Sequence, residues 1–185
     1  MSELVQFSGE KAEEIRSKIM AFTAQTPDIV ESVAMGLSEE EIHLRPAANQ
    51  WCMVELVCHL ADVDRLVMRE RIQLMMEKDR APIPPLDPDA LAEKNKYDQR
   101  TFAEAMAEFR NERAESLTII PQIRLEDWNR VCLHSRFGEV SLGNQIVAWF
   151  LHDCSHLRQL LNRRMHLFRG WAGGYETGYV DDLKL

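Results

Sequence analysis

The stretch SLGNQIVAWFLHDCSHLRQLLNRRM (Ser141–Met165) reads as one long helix capped by Ser141. Within it, His152 and His156 stand four apart and share a face with Trp149 and Leu160. A face that carries Trp149 and Leu160 turns inward, so the two imidazoles turn inward with it. A buried imidazole pair needs a polar partner, and a metal ion shared by residues i and i+4 supplies one.

Outward from this helix, the pattern stays helical. Ser8 caps a first helix with Ala12, Ile15, Ile19 and Phe22 along one side, which Thr26-Pro27 breaks and restarts. Ser38-Glu39-Glu40-Glu41 is a capping box for a short helix that Pro46 stops. A second long helix is expected from about Cys52 to Lys78, with Leu56, Leu60, Val63, Val67 and Met75 as its apolar stripe. Ala81–Pro88 holds four prolines and reads as an extended crossover, followed by a short helix capped by Asp87. A third long helix runs from the capping box at Thr101–Glu104 to Pro121, with Phe102, Met106, Phe109 and Leu117 on its buried face.

His134–Val140 reads as a tight turn or short hairpin, and no run is strong enough to suggest a substantial sheet. The expected fold is therefore an all-α four-helix bundle with a long crossover between helices two and three, one domain over residues 1–185 with its core at about 8–166. The Gly- and Tyr-rich tail, 167–185, carries no structural signal.

His59 falls on the apolar face of the second helix, between Leu56 and Val63. If helices two and four are neighbours, His59, His152 and His156 converge. Three histidines leave a coordination position open, the pattern of a reactive site rather than a closed structural one. Neutral nitrogen ligands suit zinc, nickel, iron or copper without selecting among them. Asp62 and Asp153 are candidates to accept the second N–H of a ligating histidine, or are simply solvated. His134 is a candidate for the mouth of the site, while His43 and His166 read as surface or helix-end residues. Two other metal patterns do not fit. The segment has Asp153 where a zincin has Glu, and no third-ligand motif follows. A bundle di-iron site needs Glu-x-x-His from two helices, whereas Glu55 and His59 are four apart.

Composition sets the bounds. The 185 residues are 45% hydrophobic and 28% charged, with net charge −8. This is ordinary for a soluble globular chain and argues against nucleic acid as a partner. A local basic patch, Arg158, Arg163, Arg164 and Arg169, suits a helix C-terminus. The start Met1–Val5 lacks a basic apolar leader, and no apolar run is long enough to cross a bilayer, so a cytoplasmic location and no membrane partner are expected. Cys52, Cys58, Cys132 and Cys154 are scattered and read as reduced, small core residues. The methionines, including Met68, Met75, Met76 and Met106, read as core filler.

The order of motifs resembles the DinB/YfiT-like superfamily. Leu44-Arg45-Pro46, Trp51 and Glu55–Asp62 are similar to its second-helix signature, and Phe137–Leu142 with His152-Asp153 and His156–Gln159 to its fourth. The match covers about Ser8 to Met165. The resemblance implies an up-down-down-up bundle, often a homodimer, with a divalent metal, zinc or nickel, on His59, His152 and His156. It also implies thiol-dependent transferases that use bacillithiol, mycothiol or glutathione. One departure is Cys52, where the family often has a serine N-cap; sulfur is a poor acceptor, so the cap is weaker.

The leading functional expectation is metal-dependent transfer of a low-molecular-weight thiol onto an electrophilic small molecule. Arg158 or Arg163 would attract an acidic thiol, or be merely solvated. The rivals are a non-enzymatic stress, sensor or ligand-binding bundle and a metal-dependent hydrolase at the same three histidines.

Overall fold

In the computed structural model, which describes residues 5–173 and 175, the sequence folds into a four-helix bundle. Its first long rod is α1 (Gly9–Thr23) followed by α2 (Thr26–Ala34); Ser8 accepts the Lys11 N–H, and Pro27 opens α2 as expected. The short α3 (Glu39–Ile42) starts at the capping box of Ser38 and Glu41.

The second rod begins as α4 (Met53–Asp62), all ten residues of which are buried. Glu55 accepts the Cys52 N–H at 2.8 Å, so the cap is held mainly from the glutamate side. The sequence reading takes the rod as a plain α-helix to Lys78, but its middle, Val63–Arg69, is a π-helix before α5 (Glu70–Glu77) resumes. Widened turns of this kind concentrate near functional sites. The Ser116 hydroxyl donates to the Asp64 carbonyl at 3.3 Å and serves a backbone group inside the widened segment.

The crossover carries a two-residue strand, β1 (Pro82–Ile83), and then α6 (Pro88–Lys94), capped by Asp87. The third rod is α7 (Phe102–Ile119), with Thr101 and Glu104 forming its capping box. The expected hairpin is present as β2 (Val131–His134) and β3 (Gly138–Ser141), paired antiparallel from Val131 opposite Ser141 to His134 opposite Gly138. Gly138 has φ of 74°, the left-handed region that glycine enters freely. β1 adds in parallel to β2, which makes a three-stranded sheet in the order β1-β2-β3.

The fourth rod, α8 (Leu142–Arg169), runs four residues beyond the expected Met165. Its N-terminal turn is fixed by contact: Phe7 lies on Gly143 so closely that a Cβ there would stand 2.5 Å from the ring. The rest of the Gly- and Tyr-rich tail, Gly174 and 176–185, lies outside the described residues. Among the described residues, no helix is long and apolar enough to cross a membrane.

The core has two parts. One gathers Val54, Leu56, Val57, Leu60, Phe109 and Leu160, and the other Met68, Met75, Trp128, Leu142, Ile146 and Trp149. A salt-bridged cluster lies deep in the bundle, beside both parts. Arg113 of α7 donates to Asp64 (Nε to Oδ2, 2.7 Å) and to Asp153 of α8 (Nη2 to Oδ1, 2.9 Å). Trp149 donates to Asp64 at 2.7 Å, Thr26 to Asp153 at 2.8 Å, and Arg113 to the Thr23 carbonyl at 2.9 Å. The cluster thus ties all four rods together.

Candidate metal centre

α4 and α8 pack against each other, and this contact brings His59 to the His152–His156 pair. The Nε2 atom of His152 stands 3.0 Å from that of His59 and 3.0 Å from that of His156. One ligand atom from each of the three lies within 4.8 Å of the others, so this group could hold a metal ion. A tetrahedral ion with bonds of about 2.0–2.1 Å spaces its nitrogens roughly 3.3 Å apart, close to what is seen.

The hydrogen bonds test the fit further. His156 Nδ1 donates to Gln159 Oε1 at 2.8 Å, which leaves its Nε2 with a lone pair. Nδ1 of His59 and of His152 are buried and have no partner among the described residues. With protons on both Nδ1 atoms, three lone pairs face one another. With protons on Nε2, two buried Nδ1 lone pairs go unused. Either arrangement is costly without a cation at the centre, and a cation resolves the first. The residues fit a divalent metal.

Electrostatics favour the ligating form. Burial pulls the His59 pKa down to about 3, aided by the neighbouring His156, whose ring would repel a second proton. Burial likewise lowers His152 to about 2 and His156 below its ordinary value. All three are therefore neutral imidazoles at neutral pH, as metal ligation requires.

His59 and His156 open onto a cleft of about 1080 Å³. Its walls include Trp51, Gln159, Arg158 and Arg163. The Trp51 ring meets His59 edge-on with centroids 5.0 Å apart and so packs one side of that ligand. His152 stands behind the other two, off the cleft wall.

A family model, the DinB superfamily, matches residues 23–160 of the chain, a span that holds all three histidines. The chain belongs to the DinB superfamily. Among solved structures, this DinB-superfamily chain is similar to YfiT from Bacillus subtilis, a four-helix bundle described as a probable metal-dependent hydrolase. The TM-score is 0.76 at 17% identity, over 89% of this chain and 93% of that one. At that identity the likeness shows the fold. No curated protein sequence matches the chain.

Several expectations about the DinB site need correction. Neither Asp62 nor Asp153 accepts from a ligand histidine. Asp62 Oδ2 accepts from Asn95 at 2.8 Å and from the Tyr97 hydroxyl, while Oδ1 takes Arg65. Asp153 belongs to the Arg113 cluster. His134 is at the hairpin, where its Nδ1 accepts the Arg136 N–H at 3.1 Å, and it is not part of the cleft wall. His166 is exposed but does line the cleft. His43 binds the Arg100 carbonyl at 2.9 Å and lies away from the cleft.

Sequence reasoning missed Gln159 and Arg113. Gln159 follows His156 by three residues, within reach on one helix face, which was a usable signal. Arg113 falls four residues after Phe109 and four before Leu117, on the apolar face of α7, and a charge there demands buried partners.

Proposed function

We propose that this DinB-superfamily chain holds one divalent ion, zinc or nickel, on His59, His152 and His156 and uses it to transfer a low-molecular-weight thiol to an electrophilic small molecule. A divalent ion bound there would supply positive charge that lowers the pKa of a bound thiol or water. The observation that carries the choice of thiol is the fate of the nearby carboxylates. Hydrolysis by metal-activated water commonly recruits a carboxylate as general base. Here Asp62, Asp153 and Glu55 are each committed to an arginine, and the carboxylate on the cleft wall, Asp89, is exposed to solvent. A thiol ionises at a metal without such a base. The family resemblance points the same way, with bacillithiol, mycothiol or glutathione as candidate co-substrates.

In this reading the chain's own residues have distinct parts. The three imidazoles hold the ion and stay neutral. Gln159 sets the tautomer of His156, and Trp51 packs against His59. The cleft admits the small molecule on the side of His59 and His156. The same reading takes a homodimer as the working form and the cytoplasm as its location.

Elemental analysis of protein purified without a histidine tag should find one divalent ion per chain, and His152→Ala or His156→Ala should empty the site. Conjugation of a model electrophile with several biological thiols then tests the activity. Metal-loaded protein should exceed the buffer rate, and metal-stripped protein and His59→Ala should not. Unchanged metal content in both alanine variants would remove the centre itself. YfiT's description as a probable hydrolase supports a second reading. Ester or amide hydrolysis that needs the metal but no thiol would establish it in place of transfer.

A further inference from the structure

Arg163 follows His156 by seven residues on α8, two turns along the same face, and both line the cleft. Its Nε–H donates to the Trp51 carbonyl at 2.7 Å, which fixes the root of the guanidinium against the cleft wall. Among the described residues it has no carboxylate partner. Arg45 and Arg65, by contrast, each hold one, and Arg113 holds two. Burial pulls the Arg163 pKa below its ordinary value, and the neighbouring Cys52 thiol, itself pushed up to about 11 by burial, stays protonated and offers no counter-charge. A half-buried guanidinium on a cleft wall with no carboxylate beside it is costly unless a ligand supplies the counter-charge. Arg158 adds an exposed cation at the rim, and Asn162 and Gln50 add amides; the acidic exception on the wall is Asp89, which is exposed.

We propose that this wall is a recognition subsite for an acidic group, with Arg163 gripping a carboxylate or phosphate of the small molecule whose reacting end lies at the three histidines. The inference rests on the reading that the reaction takes place at that centre. Seven helical residues separate the two anchors by about 10 Å along the axis. The ligand is therefore an extended molecule with an anion at its far end, and an inorganic anion alone is too short to engage both. Arg163 is a specificity-determining residue: it selects substrates by charge and takes no part in bond making.

The test uses metal-loaded protein and two probes that differ in charge, mercaptohexanoate and mercaptohexanol, with adipate as an anion that lacks a thiol. Calorimetric titration should show mercaptohexanoate binding about tenfold or more tightly than the alcohol. Arg163→Gln should erase that margin and leave the affinity of the alcohol and the metal content unchanged, with only the small loss of melting temperature expected from the lost bond to the Trp51 carbonyl. Arg163→Lys should keep part of it, since it retains charge and loses the planar fork. Adipate should compete with mercaptohexanoate in the parent protein and not in Arg163→Gln. Equal affinity for the two thiols, or a margin that survives Arg163→Gln, overturns the subsite. If Arg163→Gln does not fold, Arg163→Lys decides: a reduced margin supports the subsite and an unchanged one overturns it. If neither thiol binds better than adipate, the thiol reading falls, and adipate alone decides Arg163. Binding lost in Arg163→Gln then supports the subsite, and binding kept overturns it.

Discussion

His152 and Asp153 are neighbours in the chain, yet they belong to two buried polar clusters finished in opposite ways. Asp153 joins Arg113, Asp64, Thr26 and Trp149 in a set where donors meet acceptors. His152 joins His59 and His156 in a set where two ring nitrogens find no partner. The first cluster closes on itself and ties the rods together. The second closes only around something from outside. Burial alone therefore does not mark a functional site, nor does one unmatched donor, since Trp128 Nε1, in the core, is also buried without a partner among the described residues; several imidazole nitrogens converging on one point do.

The largest effect should come from the closed cluster. Arg113→Met leaves Asp64 and Asp153 buried without their counter-charge and should cost about 3–5 kcal/mol in urea unfolding of the metal-free protein. A loss under about 1 kcal/mol would mean that the two aspartates are held by other groups and would erase the contrast.

Acid should attack the open cluster next. The pKa values of His59 and His152 are depressed in the folded chain, to about 3 and about 2, against about 6.5 when unfolded. The unfolded state then binds more protons below pH 6.5. Stability of the metal-free protein is therefore full above that pH and falls as pH drops toward about 3. Chemical unfolding at stepped pH would show this, and a flat profile from pH 6.5 to 4.5 would contradict the burial of these rings.

Metal should reverse the open cluster's weakness. At an ion concentration a hundredfold above Kd, binding adds about 2.7 kcal/mol. His152→Ala should abolish that increment while leaving the metal-free protein near its original stability. Gln159→Leu should weaken metal affinity by about 10- to 100-fold, the usual effect of removing the partner of a ligand histidine. The smallest effect returns to the closed cluster: Thr26→Val removes one of several donors to Asp153 and should cost about 1 kcal/mol. A cost as large as that of Arg113→Met would make the hydroxyl, and not the guanidinium, the keystone.

The four rods were legible because their caps and apolar spacings are local. Ser8, Thr101 and Ser141 each mark a start that the structure keeps. The three histidines were legible for the same reason, since i,i+4 spacing and an apolar face are properties of single helices. What depends on contacts between rods was not. Asp62 and Asp153 are adjacent to or near ligands in sequence, which suggested them as partners. The bundle instead pairs them with Tyr97, Asn95 and Arg113, residues tens of positions away. The π segment was missed because no proline or glycine announces it: Val63–Arg69 is an ordinary helical sequence, and it carries Asp64, whose partner Arg113 comes from another rod.

That widening has a geometric consequence. An α-helix advances about 100° per residue, so His59 and Asp64 on one uninterrupted rod would have a fixed angular offset. The π segment breaks that lock and gives the stretch before it and the stretch after it separate helical phases. Winding all of Val63–Arg69 as a regular α-helix, with no residue removed, would turn one stretch by about 100° against the other. Either the imidazole would leave the histidine centre, or Asp64, Met68 and Met75 would leave theirs. The rod works as two independently indexed cylinders on a common axis, one set for holding an ion and the other for holding the bundle.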